Sequence, residues 1–206
     1  MTFQTLATKT STDTLTATDI AQLHQNLRQE LFVPFARSYV TTPVSSVSFQ
    51  NIPTTYEHLM ALMIHKSTVS TGASTSAFQV NGDVVATNYV GQYIWALGPG
   101  NGSMVAGENL AFAGGIMNPY TGQDMGSWWG FNMLFVPNYK STNLKTFYAL
   151  GCNNEGNLNT VGQNVTQICS HTTWKGTVAV NRIDFFASGF SIDTKSYYIL
   201  YGLGST

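Results

Sequence analysis

Carboxylates are the side chains of this 206-residue chain best suited to chemistry, and the sequence holds only 10 of them. Glycoside hydrolysis usually needs two carboxylates about 5 to 10 Å apart, one as acid and the other as nucleophile or base. Glu108, Asp124 and Glu155 lie in or beside glycine-rich segments and are the candidates for such a pair. Nothing in their spacing requires them to converge, so they do not predict a glycosidase.

The sequence also lacks the short motifs that mark common classes of enzyme. It has no Gly-x-Ser-x-Gly nucleophile elbow, no phosphate-binding glycine loop ending in Lys-Ser or Lys-Thr, and no His-Glu-x-x-His zinc motif. We therefore predict a protein that is not an enzyme and that needs no cofactor.

Histidine and cysteine are too scattered to predict a metal site, because zinc sites cluster these residues at short spacings. His58 and His65 flank an apolar run, which favours strand-end residues with local hydrogen bonds over metal ligands. Cys152 and Cys169 could close a short disulfide loop. Two cysteines in a chain without a secretion signal are more often free thiols, which is the prediction here.

The segment Asn81-Gly82-Asp83 has two interpretations, a calcium loop and a tight turn. Calcium takes six to eight oxygen ligands, which one carboxylate cannot supply. Asn and Gly both tolerate positive φ and are favoured in hairpin turns. The segment is predicted to join two strands, Ala77–Val80 and Val84–Val85, as a hairpin.

Aromatic residues provide the candidate contact site. Tyr120, Trp128 and Trp129 lie in a segment rich in glycine and amides, residues 118–130. Sugar faces stack on exposed aromatic rings, so this segment could bind a glycan. Alternatively, the tryptophans cover one end of the domain or are buried against a neighbouring subunit, which is the interpretation that we favour.

The charge of the chain bears on its partners. Only 9% of the residues are charged and the net charge is -1, against about a quarter charged in an ordinary soluble domain. Nucleic acids and anionic membranes require clustered Lys and Arg, so neither is an expected partner. No apolar run approaches the roughly 20 residues of a membrane span, and the N-terminus lacks the apolar core of a signal peptide, which predicts a protein made in the cytoplasm.

Residues 1–43 form a segment distinct from the rest of the chain. Residues 1–18 are rich in Thr and poor in large apolar side chains, which predicts an extended arm that becomes ordered on a partner. Thr18 or Asp19 can cap a short helix that ends before Pro34. The apolar positions of this helix are Ile20, Leu23, Leu27 and Leu31. This stripe packs on the domain itself, or else on an attachment partner or around an oligomer axis.

Residues 44–206 are predicted to be mainly β. Short apolar and aromatic runs alternate with Gly- and Asn-rich breaks, the pattern of an antiparallel β-sandwich or jelly roll. The continuous apolar run from His58 to Ile64 suits a strand buried on both faces, and residues 67–76 are predicted to be a loop. The last two runs, 174–186 and 196–203, are predicted to pair with each other.

Several segments between Asn51 and the C-terminus also occur in a recognisable order. They are Ile52-Pro53 with Tyr56-Glu57-His58-Leu59, Asn81-Gly82-Asp83 with Asn88-Tyr89, Asn138-Tyr139-Lys140-Ser141-Thr142 with Lys145-Thr146, Trp174 with Ala179-Val180-Asn181-Arg182-Ile183, and Leu200-Tyr201-Gly202-Leu203. This order resembles a β-sandwich module of tailed-bacteriophage virion structural proteins, of the capsid decoration, head-fibre, tail-fibre or spike type. Within it, Arg182 is expected to form an ion pair with Asp184 or a hydrogen bond to a neighbouring loop, and Lys140 and Lys145 are expected to solvate a polar loop.

The resemblance implies a non-catalytic virion protein that decorates or projects from the capsid or tail. Its expected partners are other virion proteins and further copies of itself, with a trimer favoured by analogy with virion fibres. The alternative that it implies is a carbohydrate-binding module that recognises a glycan on the host surface. Residues 1–46 lie outside the resemblance, so only their composition indicates a role in attachment.

Overall fold

The computed structural model describes residues 32–68, 71–97, 101–108, 115–123, 129–155, 164–187 and 189–205. Within these ranges the chain is mainly β, and its one helical segment is a 3-10 turn at Ala86–Asn88. The strands are β1 (Val33–Tyr39), β2 (Ser46–Gln50), β3 (Tyr56–His65), β4 (Thr71–Val80), β5 (Tyr89–Leu97), β6 (Asn101–Glu108), β7 (Gly115–Gln123), β8 (Gly130–Val136), β9 (Lys145–Glu155), β10 (Asn164–Trp174), β11 (Arg182–Ala187) and β12 (Tyr197–Ser205).

The strands form two antiparallel sheets. An eight-stranded sheet has the order β1-β12-β3-β8-β9-β10-β5-β6, and a four-stranded sheet has the order β2-β11-β4-β7. Buried and more exposed residues alternate along β3 and β8, because successive side chains of a strand point to opposite faces. The sequence prediction of a mainly β, antiparallel protein is confirmed.

Aromatic side chains connect the two sheets. Phe78 of β4 packs against Phe147 of β9 with ring centroids 4.9 Å apart, and Phe185 of β11 lies 5.7 Å from Tyr198 of β12. All four rings are buried. The core therefore lies between facing sheets, an arrangement consistent with a β-sandwich.

The pairing predicted for the last two strands is wrong. β11 pairs with β2 and β4, whereas β12 pairs with β1 and β3 in the other sheet. Ile192, between them, exchanges backbone hydrogen bonds with Val44. A connection anchored in this way carries the chain from one sheet to the other, so the two apolar runs face each other across the core.

The predicted hairpin at Asn81-Gly82 is a turn without a hairpin. Asn81 has φ 53° and Gly82 has φ 69°, and the Asp83 N–H donates to the Val80 carbonyl at 2.9 Å. This turn geometry confirms the predicted turn. Val84 and Val85 are exposed and belong to no strand, since the chain leaves β4 here and enters the other sheet at β5.

Two strand boundaries and the burial of β3 differ from the sequence predictions. Residues 71–76, predicted to be a loop, lie in β4 and pair with β7, because pairing with a neighbouring strand overrides weak local propensity. β3 is buried on one face only, since Ile64 is 48% exposed. β1 pairs with β12, so the sheet begins at Val33 and not at residue 44. The predicted arm and helix lie outside the described residues.

Candidate functional site

A hydrogen-bonded cluster at one end of the fold joins several of the short polar segments noted in the sequence. We call it the Asp83 corner, formed by Asp83, Asn88, Tyr89 and Trp174. Asp83 accepts hydrogen bonds from Trp174 Nε1 at 2.7 Å, Asn88 Nδ2 at 2.8 Å and Val85 N at 2.9 Å. The Tyr89 hydroxyl donates to the Asp83 carbonyl and accepts from Val80 N. The corner ties the turn after β4 to β5 and β10.

Asn81 extends the Asp83 corner to the start of β11. Its Nδ2 donates to the Ala179 carbonyl at 2.9 Å, and its Oδ1 accepts from Asn181 N at 2.9 Å and Arg182 N at 3.1 Å. Arg182 Nε lies 2.8 Å from an Asp184 carboxylate oxygen, which confirms the predicted ion pair. These polar side chains therefore tie the turn after β4 to the start of β11.

The electrostatics of Asp83 indicate a structural carboxylate. Burial alone would raise its pKa, but the hydrogen bonds from Trp174, Val85 and Asn88 hold the pKa below the usual value. Three N–H donors occupy this carboxylate in its charged form. A group arranged in this way is a poor general acid, because it keeps its negative charge throughout the neutral range.

A second polar cluster is buried on three neighbouring strands of the eight-stranded sheet, β3, β8 and β12. His65 Nδ1 lies 2.8 Å from the Tyr198 hydroxyl, and Asn132 Nδ2 lies 2.5 Å from His65 Nε2. All three residues are buried, and Asn132 Oδ1 has no hydrogen-bond partner within the described part of the chain. His65 does end its strand, as predicted, but its partners are distant in sequence. Only the pairing of β3 with β8 and β12 brings them together.

The His65 cluster should make stability depend on pH. Burial lowers the pKa of His65 to about 3 from 6.5. Below pH 6.5 the unfolded chain binds a proton at His65 that the folded chain does not bind until about pH 3. The free energy of unfolding therefore decreases as the pH falls from 6.5 to about 3. Between pH 7 and pH 5 we expect urea unfolding to show a loss of about 2 kcal/mol, with the slope approaching about 1.4 kcal/mol per pH unit below pH 6.

The matched variant for this pH series is His65→Gln, which keeps a polar side chain but does not titrate. The remaining histidines are common to both proteins, so the difference in slope belongs to His65. The measured interval, from pH 7 to pH 5, also lies above the usual pKa values of Asp and Glu. Equal slopes in the wild type and the variant would contradict the assignment.

The lysines near the loop after β8 differ from expectation. Lys145, predicted to solvate this loop, has a buried side chain, and its ammonium donates to the carbonyls of Ser141 and Asn143 at 2.6 and 2.5 Å. Burial lowers the pKa of Lys145. Lys140 forms an ion pair with Glu57 at 3.0 Å. Lys145 thus binds backbone carbonyls of the loop from a buried position that the sequence did not indicate.

The structure separates two of the candidate catalytic acids. Glu108, at the end of β6, lies opposite Val90 on β5. Val90 in turn lies opposite Thr173 on β10, and Thr173 lies opposite Thr146 on β9. Glu155 ends the same strand that contains Thr146. At about 3.3 Å per residue, the backbones of these acids are roughly 30 Å apart along the sheet, too far for a catalytic pair. Asp124 lies outside the described residues.

The predicted aromatic contact site is described only in part. Trp129 precedes β8 and is 37% exposed, and Lys66 Nζ lies 5.6 Å from the centroid of its ring. Lys66 is also paired with Asp193 at 2.8 Å. Of Tyr120 only the backbone is described, in β7 opposite Ser74. Trp128 lies outside the described residues, as do Ile20, Leu23, Leu27 and Leu31, the predicted attachment or oligomer contacts.

The described ranges show neither a metal site nor a membrane-spanning helix. They hold no group of three or more His, Cys, Asp or Glu side chains that could bind a metal ion. No helix in the same ranges has the length and hydropathy needed to span a bilayer. Cys152 and Cys169 are free, as predicted.

An extended apolar surface lies on the eight-stranded sheet, on the side away from the four-stranded sheet. We call this side the outer face. Its central side chains are Met60, Leu62 and Ile64 on β3, Phe131, Met133 and Phe135 on β8, Tyr148, Leu150 and Cys152 on β9, Cys169 and His171 on β10, and Ile199 and Tyr201 on β12. None of these side chains is Asp, Glu, Lys or Arg. A monomer rarely leaves such a surface open to water.

Comparisons with known proteins do not identify the chain. No protein-family model matches it, and no curated protein is significantly similar to it. The resemblance to a bacteriophage module therefore stays a prediction from the sequence. The contacts among the described residues therefore provide the structural evidence on function.

Proposed function

We propose that the chain is a non-catalytic structural protein of a bacteriophage virion, which decorates or projects from the capsid or tail as an oligomer. The two packed sheets would form its β-sandwich or jelly-roll body. Residues 1–43, as an arm followed by a short helix, would attach it to the particle or join its subunits, and a trimer is the favoured assembly. The protein would be made in the host cytoplasm and function in the virion.

The observation that carries this proposal is how the carboxylates are used. Each acid whose side chain is described has a structural contact. Asp83 anchors its corner, Asp184 contacts Arg182 and Ser48, Asp193 pairs with Lys66, and Glu57 pairs with Lys140. Carboxylates that already form ion pairs and turn contacts are not available for acid-base catalysis. Their use therefore supports a structural protein more than an enzyme. The low charge of the chain supports the same proposal.

Mass spectrometry of purified particles tests the location. Peptides of this chain should be recovered from virions at a stoichiometry comparable with other structural proteins. Their absence from purified particles would rule out the virion role, whatever the fold.

We expect attachment to depend on the arm. Deleting residues 1–18 should leave a folded, soluble protein that no longer joins the particle, because the arm contains too few apolar side chains to belong to the core. The measurement is the amount of variant in purified particles, with circular dichroism as the control for folding. Unchanged incorporation would point to the β domain as the docking surface.

A carbohydrate-binding module is the second candidate, and the exposure of Trp129 favours it. An exposed indole can stack on a sugar ring, and the ammonium of Lys66 beside it can donate to sugar hydroxyls. In this alternative the protein would still belong to a phage fibre or spike. Its partner would be a glycan on the host surface.

We expect Trp129→Ala to reduce binding on a glycan array about tenfold if this alternative holds, since stacking on one ring contributes up to about 1.5 kcal/mol and about 1.4 kcal/mol corresponds to a factor of ten. Leu144→Ala is a matched control, because Leu144 is also exposed but lies at the opposite end of the same sheet. Equal binding by the two variants, or no binding by the wild type, would exclude a glycan site at Trp129.

A further inference from the structure

Several large apolar side chains that lie together on the outer face are exposed. They are Ile64, Ile94, Phe131, Tyr148 and Leu150, each between 38% and 57% exposed. Ile94 of β5 joins this face because it lies opposite Cys169 of β10, which in turn lies opposite Leu150 of β9. An antiparallel sheet with one side on a core and the other in water normally carries polar side chains on the side in water. The outer face instead has the composition of a surface that is covered.

These side chains belong to rows that cross the sheet. The central row follows the strand register over six strands, through Ile199, Leu62, Met133, Leu150, Cys169 and Ile94. One row on each side of it, through Phe131 and through Tyr148, extends the apolar surface along the strands. With about 4.8 Å between strands and about 6.6 Å between rows, the patch measures roughly 29 Å by roughly 20 Å, or about 600 Å².

A patch of this area can support a stable contact with a second copy of the chain. The largest apolar patch of a typical monomer covers about 300 to 600 Å², so this patch lies at the upper end of that range. If a second copy contributes an equal area, the contact buries about 1,200 Å² in total, and stable protein interfaces bury about 1,200 to 2,000 Å². The Met, Phe and Tyr side chains of the face are also those enriched in the cores of interfaces.

The distribution of charge indicates which partner fits. The central side chains of the outer face include no Asp, Glu, Lys or Arg, so this face has no charge with which to select a charged partner. Two copies of it meet without electrostatic repulsion, and each covers apolar surface of the other. The outward side of the four-stranded sheet differs, since Asp184 lies there in contact with Arg182 and Ser48. Of the two outward sides, the outer face is therefore the one suited to a second copy.

We propose that the outer face is the contact surface between copies of this chain, buried against a second copy in the oligomer. This inference rests on the oligomer of the proposed function and names its interface. It does not depend on whether the oligomer belongs to a virion.

Charged substitutions on the outer face test the proposal by light scattering on the full chain. The wild type should have the mass of two or more chains at micromolar concentration. Leu150→Glu should weaken association at least about a hundredfold, because association would bury an unpaired carboxylate in an apolar contact. Val178→Glu is the matched control, since Val178 is 60% exposed but lies between β10 and β11 and belongs to no strand. It should leave the mass unchanged.

A native thiol on the same face gives an independent measurement. Cys169 is exposed in the single chain, so slow alkylation of this thiol requires a second molecule to cover it. In the wild type and in Val178→Glu the thiol should be protected. In Ile64→Glu it should react at least about tenfold faster, because dissociation exposes it in most molecules. Ile64 lies three strands from β10, so this variant leaves the surroundings of Cys169 unchanged.

The outcomes separate this proposal from the proposed function. A monomeric wild type would overturn the interface and the oligomer, while mass spectrometry of particles would still test the virion role. An oligomer that keeps its mass in both folded face variants, or whose Cys169 reacts rapidly, would overturn the interface and leave the oligomer in place. Dissociation of Val178→Glu as well would show that the effect is not specific to the outer face, which also overturns the proposal. Circular dichroism checks folding, and the two wild-type measurements test the proposal even if a variant does not fold.

Discussion

Asp83→Ala should destabilise the protein by about 3 kcal/mol, since hydrogen bonds to a charged group contribute about 1.5 to 3 kcal/mol each. The substitution removes the acceptor of the Trp174 indole N–H, and Trp174 is only 4% exposed. It also frees Asn88 and the turn after β4. Urea unfolding should show a midpoint lowered by at least about 1 M, given the usual dependence of stability on urea.

Two variants test whether this loss comes from the Asp83 corner. Asp193→Ala removes a carboxylate from a partly exposed ion pair with Lys66, which should cost less than about 1 kcal/mol. Asp83→Asn keeps one oxygen acceptor and should fall between Asp83→Ala and the wild type. If Asp83→Ala and Asp193→Ala have equal effects, the corner is not an important source of stability.

Gly202→Ala should have a comparable effect, about 3 kcal/mol, at the upper end of what overpacking costs. A Cβ at Gly202 would lie closer than 3.0 Å to Cγ and to both Cδ atoms of Tyr56. These atoms belong to the base of the ring, which cannot swing aside as a flexible chain end can. Phe35 stacks on Tyr56 with ring centroids 5.4 Å apart, so the ring has little room to retreat. Thermal and urea unfolding measure the loss.

Substituting the clashing ring separates steric conflict from other causes. Gly202→Ala/Tyr56→Leu should be more stable than the sum of the two single substitutions predicts, because each change relieves the other. Gly189→Ala is the control for backbone conformation. Gly189 has φ 78°, and a Cβ added there would meet no atom within 4 Å, so only strain of about 1 kcal/mol is expected. Additive losses at positions 202 and 56 would contradict the packing argument.

Local physical chemistry was sufficient for several features. Short apolar and aromatic runs between Gly- and Asn-rich breaks predicted a mainly β, antiparallel chain, because a pleated surface favours β-branched and aromatic residues. Asn81-Gly82 predicted a turn, since both residues accept positive φ. The spacing of Arg182 and Asp184 predicted their ion pair, because alternate residues share one face of a strand.

Strand pairing decided the rest. The sequence alone placed β11 beside β12, whereas they lie in different sheets and meet across the core. The His65 cluster and the Asp83 corner each join residues far apart in sequence, and no local spacing signals such contacts. Likewise, Lys145 is charged and polar in the sequence but buried in the fold. Side-chain type and period determine which segments become strands, while the register and order of strands, set by packing of the whole chain, determine which residues meet.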